Sequence, residues 1–227
     1  MKKPIDTQPK LCYNISVRKE RKKKKVKVLV LDTETLGLKD RRVYNLGYVI
    51  YDTADGTTLK RDYLVKQVYD NQDLMNSAYY KDKKPLYEKK LADGNCKKCY
   101  WGSICNILKN DIERYTPDGI YAYNSRFDDL AIKETCKQYN AKVNPTADGI
   151  LDIMNYIDSI TQTEDYQKFC ESNGYKTKHR PPRNQIKAET LYRYLIGQTD
   201  YQEEHTALAD SEIELSILLV ALGLALV

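Results

Sequence analysis

Two carboxylates spaced by one residue close the apolar run Val26–Asp32 (VKVLVLD) and its continuation Thr33-Glu34. In an extended chain, residues i and i+2 point the same way, so Asp32 and Glu34 would emerge together at a strand end. Like charges held beside a core raise the free energy unless something positive lies between them. Hard divalent cations, which take oxygen ligands, are the natural partner; a solvated turn after a strand is the competing reading. A second segment, Ala122-Tyr123-Asn124-Ser125-Arg126-Phe127-Asp128-Asp129, repeats the pattern, with an apolar stretch running into polar residues where a helix begins. Asp128 falls in that helix's first turn, where the dipole favours a carboxylate, and Asn124 is a candidate N-cap or backbone anchor. The third segment, Glu203-Glu204-His205-Thr206-Ala207-Leu208-Ala209-Asp210, holds one of the two histidines of the chain. On one continuous helix, positions 205 and 210 would stand ~140° apart. A shared site therefore requires His205 in the preceding loop and Asp210 on the helix. A histidine titrating near neutrality suits the activation of water, and a surface histidine without a role is the plain alternative.

Taken jointly, the three segments resemble the DEDDh family of 3′–5′ exonucleases, which includes the proofreading subunit of the bacterial replicative polymerase, ribonuclease T and oligoribonuclease. The family's Asp-x-Glu motif is matched by Asp32-Thr33-Glu34. Its Asn followed by Phe-Asp is matched by Asn124-Ser125-Arg126-Phe127-Asp128, and its His-x-Ala-x-x-Asp by His205 through Asp210. Leu151-Asp152-Ile153-Met154 and the stretch from Lys187 to Gly197 resemble lesser family segments, so the likeness spans about 26–222. Leu36 stands where the family often has Thr, and Tyr123 where it often has His.

The resemblance implies two divalent cations, Mg²⁺ or Mn²⁺. Asp32 would bridge both, Glu34 and Asp210 would complete the first site, and Asp128 would hold the second through water. His205 would be the general base. Thr35, Leu38, Asn124 and Phe127 are the implied substrate contacts; for Leu38 and Phe127, ordinary core packing is the alternative. The implied activity is release of nucleoside monophosphates from nucleic-acid 3′ ends, single-stranded DNA before RNA, in replication or repair. An inactive nucleic-acid-binding or scaffold subunit is the second reading. A polymerase or other replication protein, and a second copy of the chain, are the expected protein partners.

Elements must position these residues. Val26–Asp32, Val43–Asp52 and Thr57–Val65 carry strand signals, the last two joined through the turn Thr53-Ala54-Asp55-Gly56. Asp118–Asn124 reads as a fourth strand and Ile150–Met154 as a short fifth. Helices are expected over Arg126–Tyr139, over Ala188–Ile196 up to Gly197, and from about Ala207 onward. Hairpin-linked strands followed by alternating strands and helices predict an α/β fold. With the resemblance it becomes a ribonuclease H-like mixed five-stranded sheet, three antiparallel strands then parallel ones, with helices on both faces. Residues 26–227 would form this domain, with a helical, cysteine-containing insertion at about 70–115.

Charge is unevenly spread. Residues 1–27 hold 11 Lys/Arg against 2 acids, whereas the remainder holds 26 against 30. Residues 1–25 therefore read as a basic flexible arm able to hold nucleic acid non-specifically, or a solubilising tail. The mildly acidic body needs cations or a local basic rim to take phosphate. The loop with Lys176, Lys178, His179, Arg180 and Arg183 is a candidate flap over the substrate, against a disordered surface loop. The charged start lacks the apolar core of an export signal, which predicts a cytoplasmic protein with reduced thiols. Cys96-Lys97-Lys98-Cys99 with Cys105 has zinc-like spacing, but only three ligands lie close, so free thiols are favoured over a structural zinc. The apolar run Leu215–Val227 has 13 residues, short of the roughly 20 a bilayer needs. It predicts a buried terminal helix, no membrane span, and a docking surface as the alternative.

Overall fold

The computed structural model describes residues 25–224, and the expected basic arm lies outside them but for its last residue. Strands β1 (Lys27–Thr35), β2 (Val43–Asp52) and β3 (Thr58–Val65) lead into helices α1 (Lys66–Tyr69) and α2 (Gln72–Ser77). A 3-10 turn at Lys81–Lys83, α3 (Lys84–Ala92), β4 (Lys97–Cys99) and α4 (Trp101–Tyr115) follow. Then come β5 (Gly119–Ala122), α5 (Arg126–Gln138), β6 (Leu151–Asp152), α6 (Asp158–Thr161), α7 (Glu164–Ser172), α8 (Ala188–Ile196) and α9 (Ala207–Ala221). Gly197, in the left-handed region at φ 67°, stops α8 where expected.

The sheet runs β4-β3-β2-β1-β5-β6. β1, β2 and β3 are antiparallel neighbours, and β5 pairs parallel with β1. β6 is parallel to β5 and β4 to β3. The expectation of five strands is thus corrected to six. The added strand, Lys97-Lys98-Cys99, has no apolar alternation to reveal it. Its pairing with Tyr63, Leu64 and Val65 makes it a strand, and as an edge it carries two lysines, as edges commonly do.

β1 is central and covered on both sides, which its unbroken apolar run demanded. Leu29 and Leu31 join a core with Trp101, Ile104 and Leu108 of α4 and Ala131 and Ile132 of α5. Val28 and Val30 join the opposite core with Leu191 of α8 and Ile213, Ile217 and Leu218 of α9. The stretch expected as a helical, cysteine-containing insertion, about 70–115, also supplies the fully buried Tyr87 and Trp101. The C-terminal apolar run is spent inside: Leu215, Ile217, Leu218 and Leu219 are buried, so α9 is no docking surface along that face. Among the described residues no helix is long and apolar enough to cross a membrane.

Candidate metal centre

Strand alternation sorts the carboxylates. Asp32 and Glu34 continue the Val28–Val30 face, which α9 covers. Asp210 lies in the first turn of α9. Its approach to β1 depends on Gly47, the antiparallel partner of Asp32. A Cβ on Gly47 would lie 2.1 Å from the Leu208 backbone nitrogen, so only a glycine lets the helix start come so close. Two contacts fix the helix there: Ser211 Oγ donates to the Gly47 carbonyl at 3.1 Å, and the Asn45 side-chain oxygen accepts from Ala207 N at 2.9 Å. Asn45 thus caps α9 from a different element, and it is itself held by Asp62 at 2.6 Å and Tyr87 at 3.0 Å.

The result is a group in which one carboxylate oxygen from each of Asp32, Glu34 and Asp210 lies within 4.8 Å of the others. A second group at the same spacing shares Asp210 and adds Glu203 and His205. Asp128 approaches from the other face of β1. Its Oδ1 accepts from Thr33 N at 3.0 Å and Thr33 Oγ1 at 2.7 Å, which pins the α5 start to β1 between Asp32 and Glu34. Asp128 belongs to neither close group, yet its charge is among those that raise Asp32.

Burial pushes Asp32 and Glu34 well above the ordinary carboxylate range, and the neighbouring carboxylates push further. Burial, then Asp32, raises Asp210 to about 8, and burial, then Asp210, raises Glu203 to about 8. Asp210 Oδ1 is buried and has no hydrogen-bond partner. Oxygen donors crowded together, mutually repelling, and with one buried oxygen unpaired fit a hard divalent cation. Glu214, one helical turn beyond Asp210, is buried as well and accepts from Tyr123 N at 3.1 Å.

His205 sits in the loop before α9, with φ at 54°. Its ring stacks on Tyr80 at 4.7 Å between centroids, and its Nδ1 faces Glu203 Oε2 at 3.6 Å. Burial, then the Lys83 cation, lowers its pKa below the usual histidine value.

The expected substrate contacts differ in placement. Thr35 is buried at the end of β1. Leu38 is 78 % exposed, which removes core packing as its explanation. Phe127 is half-buried and Asn124 exposed. Asn124 is not the N-cap of α5: Ser125 holds that position, and Asn124, left-handed at φ 59°, instead donates its backbone N–H to Asp152 at 3.0 Å. The basic loop is an ordered hairpin, closed by Thr177 N to Arg183 O at 2.8 Å and Gln185 N to Tyr175 O at 2.9 Å. Tyr123 donates its hydroxyl to the Ile186 carbonyl beyond that hairpin.

The zinc alternative, already the less favoured reading, finds no cluster among the described residues. Cys96 precedes β4 and Cys99 is its last residue, while Cys105 lies 3.9 Å from Cys136, sulfur to sulfur. Among the described residues no cysteine joins a metal-capable group, and the five described cysteines are free thiols. Cys12 lies outside them.

Sequence reading missed Glu203, Glu214 and Tyr80. Glu214 could have been found, being four residues beyond Asp210 and so on the same helix face. Glu203 lay beside His205 in plain view, whereas Tyr80 carried no signal at all, since only tertiary contact brings it to residue 205.

No family model matches the chain, and no curated protein matches it. Solved structures do. Exonuclease I from Methylocaldum szegediense superposes with a TM-score of 0.51 at 16% identity, over 86% of this chain and 40% of that one. Exonuclease I in complex with the inhibitor BCBP gives 0.51 at 15% identity, over 87% and 41%. E. coli exonuclease I in complex with a 5cy-dT13 oligonucleotide gives 0.52 at 18% identity, over 86% and 40%. The chain thus spans about two fifths of the length of these proteins. At such identities the likeness is one of fold alone: the mixed α/β sheet with its helices is the architecture shared with these exonuclease I structures.

Proposed function

We propose that the chain is a metal-dependent 3′–5′ exonuclease that hydrolyses nucleoside monophosphates from nucleic-acid 3′ ends, with single-stranded DNA preferred to RNA. One observation carries this reading: Asp32, Glu34 and Asp210 lie within 4.8 Å of one another at the end of the central strand, and His205 shares Asp210 with them. The fold shared with exonuclease I, one example of which was solved with an oligonucleotide, supports it.

Asp32, Glu34 and Asp210 would hold one Mg²⁺ or Mn²⁺, and Asp32 with Asp128 a second. Two such ions, when bound, neutralise the carboxylates and stabilise the charge on the attacking and leaving oxygens of an in-line displacement. The protein's own work is positional. Thr33 fixes Asp128 through two hydrogen bonds. Glu203 faces Nδ1 of His205, leaving Nε2 to take the proton from the attacking water. Burial, then Lys83, lowers the His205 pKa, which favours the neutral imidazole that can accept that proton. Exposed Leu38 and half-buried Phe127 offer apolar surface to the terminal nucleotide. Contacts of this kind read stacking surfaces and backbone rather than base edges, so sequence preference is weak.

The test is a set of 5′- and 3′-labelled single- and double-stranded DNA and RNA oligonucleotides, incubated with Mg²⁺, Mn²⁺ or EDTA. A metal-dependent ladder shortening 5′-labelled single-stranded DNA from its far end supports the proposal. Cleavage that persists in EDTA, or no shortening in any condition, overturns it.

A further inference from the structure

His205 carries an unfavourable backbone conformation on a loop, so something must hold it. A non-glycine residue in the left-handed region is strained and persists only where its surroundings determine it. Here both chain neighbours of His205 are fastened to one side chain. Lys90 Nζ lies 2.7 Å from Glu204 Oε1 and 2.8 Å from Thr206 Oγ1, and Thr206 Oγ1 also donates to Glu204 at 2.7 Å. Lys90 is itself only 18% exposed in its side chain and is backed by the buried Asp62 at 3.7 Å. The third restraint is on the ring. Tyr80 lies nearly parallel to the imidazole, with 13° between planes and 4.7 Å between centroids, and Tyr79 packs edge-on against Tyr80 at 4.8 Å. Tyr79 is tied to the β1 end by its N–H to the Leu36 carbonyl at 3.1 Å. Tyr80 and Lys90 both belong to the stretch from α2 to α3, remote in sequence from the histidine they restrain.

We infer that Tyr80 and Lys90 are positioning residues for His205: Lys90 clamps the loop on either side of it and Tyr80 fixes its ring. This rests on the nuclease reading for its catalytic meaning. The α2–α3 stretch thereby acquires a role, since it presents the general base to a centre whose carboxylates come from the sheet, α5 and α9. The stack needs an aromatic face and no hydroxyl, so Tyr80→Phe keeps it and Tyr80→Leu removes it. A misplaced base costs turnover rather than binding. An ångström-scale displacement can lower a rate on the order of a hundredfold, so Tyr80→Leu is expected to lose tenfold or more in kcat, as an order of magnitude, with KM within about twofold.

The experiment pairs kinetics with histidine NMR on the full chain. Only His179 and His205 give imidazole signals, so His179 is an internal reference. The wild-type His205 ring protons feel the Tyr80 ring current. Tyr80→Leu should shift them, leave His179 in place and lower kcat at constant KM, while Tyr80→Phe restores both. Lys90→Met should broaden or shift the same signal and lower kcat similarly. Because it also unpairs Asp62, its melting temperature is measured alongside, and Tyr80→Leu decides if it fails to fold. An unshifted His205 signal in Tyr80→Leu overturns the stack. A shifted signal with unchanged kcat overturns the positioning role and leaves the nuclease reading intact. An inert wild type whose His205 signal still responds to Tyr80→Leu overturns the nuclease reading, and the catalytic role with it, while showing the stack to be real.

Discussion

The carboxylates and the histidine reach the same few ångströms by different means. Asp32 and Glu34 stand on the hydrogen-bonded centre of the sheet, while Asp128 and Asp210 stand on first turns of helices packed against it. His205 stands on the irregular stretch between α8 and α9, held by Lys90, Tyr80 and the start of α9. The proposed cation ligands are therefore set by the fold's core, and the proposed base by a few contacts near the surface. The two should fail separately: disturbing the base should spare cation binding, and disturbing the ligands should abolish both.

The largest effect is expected from Asp32→Ala. Losing the carboxylate proposed to serve both cations should remove several kcal/mol of transition-state stabilisation, a rate loss on the order of a thousandfold or more. The rise in melting temperature expected of the wild type in Mn²⁺ should vanish. In EDTA the variant should melt no lower than wild type, because it removes one member of a repelling buried group. Oligonucleotide turnover and thermal melts with and without Mn²⁺ check all three, and retained turnover would dissolve the assigned centre.

His205→Ala is the counterpart. A positioned general base contributes roughly a hundredfold to ten-thousandfold, so kcat should fall by about a hundredfold. The Mn²⁺-induced rise in melting temperature should stay near that of wild type. If it disappears with the histidine, ligand and base are one unit and the contrast fails.

Gly47→Ala breaks the seam between them. The new methyl would meet the Leu208 backbone, which cannot swing aside as a side chain could. Overpacking of this kind costs about 1–3 kcal/mol, and α9 carries Asp210 away from Asp32 as it yields. Urea denaturation should show the loss, and Mn²⁺ affinity should fall with it. Full stability with full cation affinity would mean that the helix start is not seated as described.

How far the sequence revealed this follows the same divide. The apolar run Val26–Leu31 announced a strand buried on both faces, and i, i+2 alternation put Asp32 and Glu34 together, because local pattern and burial agree there. The geometry of one turn forced His205 off the helix that bears Asp210, and the structure has it so. What local pattern could not carry was tertiary. Gly47 has meaning only against Leu208, Asn45 only as a cap on α9, and Tyr80 only beneath His205. Lys97–Cys99 became a strand by pairing with β3, and the N-cap position expected of Asn124 falls one residue later, on Ser125, whose side chain makes no capping bond. The thiols of Cys96, Cys99 and Cys105 looked close in sequence, and strand alternation with the turn into α4 sent them apart.

The smallest expected effect is in pH dependence, and it sharpens the contrast by sign. Asp210 and Glu203 are raised to about 8 from ordinary values of 3.8 and 4.5. Across that window the folded chain keeps protons that the unfolded chain has released, so metal-free stability falls as pH rises from about 4 to about 8, and it goes on falling toward about 10, where burial and its neighbours still hold the Glu34 proton. His205 runs the other way. Its pKa is lowered, so the unfolded chain holds the extra proton, and stability is gained as pH rises toward the ordinary histidine value of 6.5. A cation takes the place of the carboxylate protons, so the Mn²⁺-induced rise in melting temperature should grow from pH 5.5 to pH 8.5, by about a few degrees. Asp210→Asn should flatten that growth. His205→Ala should leave it and steepen the metal-free decline below neutrality instead. The comparison is read from melts at several pH values in EDTA and in Mn²⁺. A cation response flat in pH would mean the carboxylates are already ionised without metal, and that burial does not hold their protons.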